Sequence, residues 1–129
     1  MLTSGRVLLA DDHRGMLTEL RLQLHEAFEI IGSVEDGQQA VDAVLNLDPD
    51  VVVLDIAMPV MNGFQVAARL RGCRTKIVIL TTYEDHDYID AAFSSGARGY
   101  VTKRNLASDL VTAIHEVLGG NTFISPSLA

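Results

Sequence analysis

The sequence has only one cysteine, Cys73, among its 129 residues. An internal disulfide and a cysteine-rich metal site are therefore excluded. Basic residues are also scarce, because 17 acidic against 10 basic side chains give a net charge of −7. A nucleic-acid-binding surface normally carries a basic patch, so we do not expect this segment to bind DNA by itself.

Long apolar stretches are missing as well. No apolar run approaches the roughly 18 residues that a membrane-spanning helix needs, and the first six residues are too few and too polar for a secretory signal peptide. We therefore expect a cytoplasmic protein with no membrane partner. A hydrophobic content of 48% over this length is sufficient for one domain with a real core.

Five short apolar runs alternate with amphipathic segments of helical spacing, which predicts a doubly wound α/β fold with a parallel sheet. The first, third and fourth runs are wholly apolar and should be central strands, whereas the second and fifth contain Gly, Ser or Thr and look like edges. This gives the flavodoxin-like (βα)5 order 2-1-3-4-5. The predicted strands cover residues 7–10, 30–34, 51–54, 77–80 and 99–102, and residues 121–129 are predicted to be a tail.

Acidic residues follow two of the predicted central strands. Asp11 and Asp12 come after the first strand and Asp55 after the third, at the switch point where open α/β sheets bind ligands. Two carboxylates about 5 Å apart repel by roughly 3 kcal/mol at an effective dielectric constant near 20. Carboxylates this close together either raise one another's pKa values or bind a cation. Oxygen ligands with open coordination positions favour Mg²⁺.

Two further polar residues should lie at the same edge, since Thr81 ends the fourth strand and Lys103 follows the fifth. Taken singly, each residue has an ordinary structural explanation. An Asp after a strand is often a helix cap, Thr81 could be a strand residue whose hydroxyl is satisfied locally, and Lys103 could be a solvated surface group. Their joint placement favours a site. A carboxylate nucleophile beside Mg²⁺ and a lysine is suited to phosphoryl transfer, giving an aspartyl phosphate on Asp55.

Rival α/β enzymes are excluded by the residues at the ends of the predicted strands. A dinucleotide-binding fold needs a glycine-rich turn after the first strand, where this chain has Asp11 and Asp12, and no P-loop lysine motif is present. A phosphatase of the haloacid-dehalogenase type needs a second acid where Ala57 stands. His13, next to the acidic pair, is not expected to bind a hard cation.

Several of these motifs occur in order along the chain and are specific in combination. They are Asp11, Asp12, Asp55, Met58, Pro59, Gly63, Thr81, the run 96–100 and Lys103. From residue 7 to about residue 118 the chain resembles the receiver domain of two-component response regulators. Residues 80–83, 96–100 and 124–126 look most like the NarL/FixJ (LuxR-type) subfamily, in which a helix-turn-helix DNA-binding domain normally follows.

The resemblance implies a phosphoacceptor switch rather than an enzyme acting on a separate substrate. Asp55 would accept a phosphoryl group from a sensor histidine kinase. Asp12 and Asp55 would bind Mg²⁺ together with the backbone carbonyl of Ala57, and Asp11 would act through a bound water. Because Ala57 has no group that positions water, we also predict slow self-dephosphorylation.

The resemblance also implies how the signal spreads. Thr81 would move toward the phosphoryl group, Tyr100 would swing inward with it, and Lys103 would pair with the phosphoryl oxygens. Arg104 stands where many receivers have proline. Members of the NarL type commonly lack that proline. The fourth helix, fifth strand and fifth helix would form the output surface, with a homodimer on phosphorylation.

Residues 1–120 are therefore expected to be the receiver, and residues 121–129 a tail or the start of a linker to a DNA-binding domain. DNA would be bound only through that further domain, in the control of transcription. Two alternatives stay open. The chain is a stand-alone receiver that acts by protein binding, or a degenerate receiver that serves as an interaction module without phosphorylation.

Overall fold

The computed structural model describes residues 5–129, in which six strands alternate with helices. The strands are β1 (Arg6–Ala10), β2 (Glu29–Val34), β3 (Val51–Leu54), β4 (Lys76–Thr81), β5 (Gly99–Thr102) and β6 (Phe123–Ile124). The helices are α1 (Arg14–Leu24), α2 (Gly37–Leu47), α3 (Gly63–Arg69), α4 (His86–Ser95) and α5 (Leu106–Leu118). Short 3₁₀ turns, Lys103–Asn105 and Pro126–Leu128, follow β5 and β6.

Helix ends coincide with the residues that the sequence marks as breakers. Helix α2 stops before Asp48, which has a left-handed φ of 48° and precedes Pro49. Helix α4 stops at Gly96, whose φ of 114° suits glycine. Within residues 5–129, no helix has both the length and the apolar character needed to cross a membrane.

All neighbouring strands are parallel and follow the order β2-β1-β3-β4-β5-β6. The predicted flavodoxin-like order of the first five strands is confirmed. The chain leaves β1 for β2 on one side and later returns to place β3 on the other side. The carboxyl ends of β1 and β3 therefore form the switch point of the sheet.

The central strands are buried on both faces. In β3, Val52 and Leu54 belong to the apolar cluster that contains α2, α3 and α4 residues, whereas Val51 and Val53 belong to the cluster that contains α1 and α5 residues. Both faces are covered by helices, which explains why this strand is an uninterrupted apolar run.

The prediction of a five-stranded sheet with β5 at its edge is wrong. Gly99 and Tyr100 of β5 pair with Phe123 and Ile124 of β6, so β6 forms the edge, while β2 is the opposite edge as predicted. The segment predicted as a tail thus packs on the sheet, and its Ser125 is fully buried. A strand of two residues is too short to show the alternation by which strands are recognised in a sequence.

Candidate functional site

Buried carboxylates lie at the carboxyl ends of β1 and β3. Asp11 is 1% exposed and Asp55 is 5% exposed. A 3.1 Å hydrogen bond from the Asp55 N–H to the Ala10 carbonyl continues the β1–β3 ladder and holds the two acids side by side. Four potential ligand atoms lie within 4.8 Å of one another, namely one carboxylate oxygen each from Asp11, Asp12 and Asp55 and a ring nitrogen of His13. The structure therefore brings together the three predicted acids.

The ammonium group of Lys103 lies between the two buried carboxylates. Its Nζ is 2.9 Å from Asp11 Oδ2 and 3.0 Å from Asp55 Oδ2, and its side chain is only 12% exposed. Burial disfavours the charged form, but the hydrogen bond to Asp11 and the interactions with Asp55 outweigh it and raise the pKa of Lys103. Lys103 therefore carries its charge at neutral pH and offsets part of the negative charge of the site.

The site changes the proton affinity of Asp55. Burial raises the pKa of Asp55, the charge and hydrogen bond of Lys103 oppose this without cancelling it, and the nearby charge of Asp11 adds to the rise. Oδ2 is paired with Lys103, whereas Oδ1 accepts a long 3.4 Å hydrogen bond from the Ala57 N–H. One oxygen is thus firmly held, and the other is weakly bonded and available for chemistry.

Asp12 contributes an acceptor that the rest of the site does not satisfy. Over residues 5–129, its Oδ1 is buried and has no hydrogen-bond partner. His13 Nδ1 is 3.0 Å away, but the contact lacks the geometry of a hydrogen bond. A buried carboxylate oxygen without a donor is costly unless a cation binds it. Because the atoms available to bind a metal here are carboxylate oxygens, the residues fit a hard cation such as Mg²⁺.

The loop after Asp55 folds back onto the end of its strand. The Gly63 N–H donates a 2.8 Å hydrogen bond to the Ile56 carbonyl, and a Cβ atom on Gly63 would lie 2.6 Å from the carbonyl oxygen of Asp55. Only glycine fits there. Asn62 and Gln65 form a reciprocal capping box that begins α3 immediately after this contact. Gly63, one of the motif residues of the sequence, therefore lets α3 close over the Asp55 backbone.

Thr81 and Tyr100, the two predicted switch residues, are both buried and both contact Tyr83. The Thr81 hydroxyl accepts a 3.3 Å hydrogen bond from the Tyr83 N–H, and the Tyr100 hydroxyl donates a 2.8 Å hydrogen bond to the Tyr83 carbonyl. Tyr100 thus already lies inward, in the position that the resemblance associates with phosphorylation. Burial also raises the pKa of Tyr100, so its hydroxyl stays a donor at neutral pH.

A second polar group beside Lys103 was missed by reasoning from the sequence. The Thr102 hydroxyl donates a 2.6 Å hydrogen bond to Glu84 Oε2, and Arg104 donates to both oxygens of Glu84 at 2.9 and 3.0 Å. These bonds join the loop after β4 to the turn after β5. The contacts span about twenty residues of sequence, so no local pattern could have revealed them.

Comparison with known sequences gives a consistent family assignment. The family described as "Response regulator receiver domain" matches residues 7–115. The uncharacterized transcriptional regulatory protein YvfU of Bacillus subtilis (strain 168) is 39% identical over 127 residues, which cover 95% of this chain and 64% of YvfU. The transcriptional regulatory protein DesR of the same strain is 35% identical over 124 residues, 95% of this chain and 62% of DesR. This chain therefore spans less than two thirds of either relative.

Solved structures agree with this assignment. A two-component response regulator of the LuxR family from Aurantimonas sp. SI85-9A1 superposes with a TM-score of 0.91 at 28% identity, covering 98% of this chain and 93% of that one. A DNA-binding response regulator of the LuxR family from Staphylococcus aureus superposes with a TM-score of 0.80 at 31% identity, covering 88% and 98% of the two chains. Fold, acidic site and relatives thus agree, and the chain belongs to the response regulator receiver domain family.

Proposed function

We propose that this receiver is a phosphoacceptor switch in which Asp55 accepts a phosphoryl group from a phosphohistidine of a sensor histidine kinase. The observation that carries the proposal is the buried Asp55 carboxylate, with Lys103 Nζ 3.0 Å from one oxygen and the acidic cluster beside it. A buried carboxylate with a fixed cation on one oxygen and only a weak hydrogen bond on the other is equipped for nucleophilic phosphoryl transfer. The protein is then modified itself and is not a catalyst for a separate substrate.

In the transfer step, an Asp55 oxygen attacks phosphorus and forms an O–P bond. The N–P bond of the phosphohistidine breaks at the same time, and the imidazole leaves with the electron pair. The product is an acyl phosphate whose phosphoryl oxygens carry a charge of about −1.5 to −2. Asp11 holds Lys103 at 2.9 Å independently of Asp55, so the ammonium group stays in place to pair with those oxygens.

Magnesium is proposed as the cofactor. Asp12, Asp55 and the backbone carbonyl of Ala57 would hold the ion, with Asp11 acting through a bound water. The unsatisfied Oδ1 of Asp12 supports this assignment. When bound, Mg²⁺ neutralises charge on the phosphoryl oxygens. The protein contributes the oxygen ligands and keeps two of the acids, Asp11 and Asp55, almost wholly out of solvent.

The switch would run through the loop after β4. Thr81 and Tyr100 both hydrogen-bond to Tyr83, so a movement of Thr81 toward the phosphoryl group displaces a segment that also holds Tyr100. A local charge change would thereby bias a packed two-state element. We propose α4, β5 and α5 as the output surface, with a homodimer on phosphorylation.

The chain matches only part of longer transcriptional regulators, and the role of the whole protein is proposed on that basis. We propose that residues 1–120 form the body of the receiver, and that residues 121–129, whose Phe123 and Ile124 still pair with β5, are a tail or lead into a linker. DNA would be bound through a domain beyond this chain, and the protein would act in the cytoplasm to control transcription.

Acetyl phosphate tests the central claim. The protein is incubated with this donor and Mg²⁺, and intact mass is measured before and after a mild base treatment. We expect the mass of one phosphoryl group, stable in acid and lost in base, in wild type and in the control Asp42→Asn, which changes an exposed acid on α2. Asp55→Asn should show no such gain, and chelation of the metal should abolish it in wild type.

The same measurement separates a degenerate receiver from the proposed switch. A degenerate receiver would gain no mass in wild type, and an equal gain in Asp55→Asn would place the modification elsewhere. Either result would overturn the proposal. A stand-alone receiver would be phosphorylated normally, and it differs from the proposed regulator only in having no DNA-binding domain.

A further inference from the structure

The segment after α5 is attached to the end of β5 by a side chain as well as by its backbone. The Ser125 N–H donates a 2.9 Å hydrogen bond to the Tyr100 carbonyl, and the Ser125 hydroxyl accepts a 3.1 Å hydrogen bond from the Thr102 N–H. Ser125 and Thr102 are both fully buried. We call residues 123–128, with these bonds, the C-terminal clamp.

The Ser125 hydroxyl extends a strand that is itself only two residues long. Strand β6 ends at Ile124, and a 3₁₀ turn begins at Pro126, so the backbone leaves the sheet at this point. The hydroxyl takes the place of the next ladder acceptor for the Thr102 N–H. Without it, a buried backbone donor would have no partner, which native structures avoid.

The clamp is attached to β5 at one proposed switch residue and next to the lysine of the acidic site. Its backbone bond is to Tyr100, and its hydroxyl bond is to Thr102, the residue before Lys103. Leu128, at the end of the clamp, is nearly buried and belongs to the same apolar cluster as Tyr100. Lys103 must reach both buried carboxylates from this strand end, at 2.9 and 3.0 Å.

We propose that Ser125 is a positioning residue, which fixes the end of β5 and thereby holds Lys103 against Asp55. That Ser125 fixes the end of β5 follows from the hydrogen bonds, whereas its effect on phosphorylation rests on the proposed function. The hydrogen bonds of Ser125 are to Tyr100 and Thr102, so it would act on Lys103 through the end of β5. The segment that leads toward the rest of the longer regulators is then part of the support of the phosphorylation site.

Substitutions at two serines of the clamp provide the test. Ser125→Ala removes the buried hydroxyl. The matched control is Ser127→Ala, which removes an exposed hydroxyl that donates a 2.9 Å hydrogen bond to Asn105 Oδ1, a bond that water can replace. Ser125→Thr keeps an acceptor hydroxyl. Amide hydrogen exchange is measured by NMR at Thr102 and, as a reference for global opening, at Leu9 in β1. The rate of Asp55 phosphorylation by acetyl phosphate is measured in the same proteins.

We expect Ser125→Ala to speed exchange at Thr102 about tenfold more than at Leu9, because the amide loses its buried acceptor. The phosphorylation rate should fall about tenfold, as is typical when a group that orients a site residue is removed. Ser127→Ala should match wild type in both measurements, and Ser125→Thr should lie closer to wild type than Ser125→Ala.

Two results would overturn the inference. In one, Thr102 exchange in Ser125→Ala changes no more than at Leu9. In the other, Ser125→Ala is phosphorylated as fast as Ser127→Ala. The exchange comparison needs no phosphodonor. A wild type that accepts no phosphoryl group would therefore refute the proposed function, while exchange still decides whether Ser125 holds the end of β5.

Discussion

The hydroxyl of Tyr100 is bonded to the backbone carbonyl of Tyr83, 2.8 Å away across the interface between β5 and the loop after β4. The N–H of the same Tyr83 donates to the Thr81 hydroxyl. The two proposed switch residues therefore share one peptide segment as partner. Because burial raises the pKa of Tyr100, the phenol stays a donor throughout the neutral range.

Replacing Tyr100 with Phe should lower the free energy of unfolding by about 1 kcal/mol, because the ring packing is kept while a buried hydrogen bond is lost. Urea denaturation at neutral pH measures the change. The control is Tyr88→Phe, which removes the same kind of hydroxyl from a ring that stacks on Tyr83. Equal losses in the two variants would show that the bond to Tyr83 contributes nothing.

Asp55 should make the folded protein less stable at neutral pH. Burial raises its pKa above the ordinary 3.8, so the folded state holds the proton more tightly than the unfolded state. Stability is therefore lost as pH rises from below 3.8 through the folded pKa. Asp55→Asn, which cannot ionise, should therefore be more stable than wild type at pH 7.

Urea denaturation over a pH series tests this expectation. The gain in Asp55→Asn should shrink as pH falls and vanish below 3.8, where the wild-type carboxyl is protonated in both states. Asp42→Asn, at an exposed position of α2, should show no comparable pH-dependent gain. A loss of stability in Asp55→Asn at pH 7 would mean that pairing with Lys103 outweighs burial.

Divalent cation binding should depend on Asp12. Its buried Oδ1 lacks a hydrogen-bond partner over residues 5–129, and a neutral amide is a poorer ligand than a carboxylate. We expect Asp12→Asn to weaken Mn²⁺ binding by about tenfold or more, a loss typical of damaged metal sites. Electron paramagnetic resonance of free Mn²⁺ measures the dissociation constant. Asp42→Asn has the same charge change and should bind like wild type.

Much of this fold could be predicted because the central strands leave a strong local signal. Residues 51–54 are all apolar since helices cover both faces of β3, and Asp55 follows where the buried run must end. Parallel strands place their carboxyl ends at one edge, so Asp11, Asp55 and Lys103 could be assigned to one site without coordinates. The distances confirm that these three side chains meet.

The remainder depends on contacts that no local pattern encodes. Strand β6 has two residues, and it is stable only because β5 offers it a partner. The bond from Thr102 to Ser125 joins two small polar residues of common type, 23 positions apart. The bonds of Glu84 to Thr102 and Arg104 likewise depend on how two loops meet at the end of the sheet.

The lifetime of the Asp55 phosphoryl group should be set by Ala57. Ala57 is exposed, carries only a methyl group, and donates its N–H to Asp55 Oδ1. A methyl group cannot orient a water molecule for attack, so wild type should lose the phosphoryl group slowly. An amide can hold such a water in place, and Ala57→Gln should therefore shorten the lifetime, because positioning a reactant speeds its reaction. Ala57→Val, which adds bulk without a hydrogen-bonding group, should not. Loss of the base-labile phosphoryl mass over time gives the lifetime, and equal lifetimes in Gln and Val variants would contradict the role of Ala57.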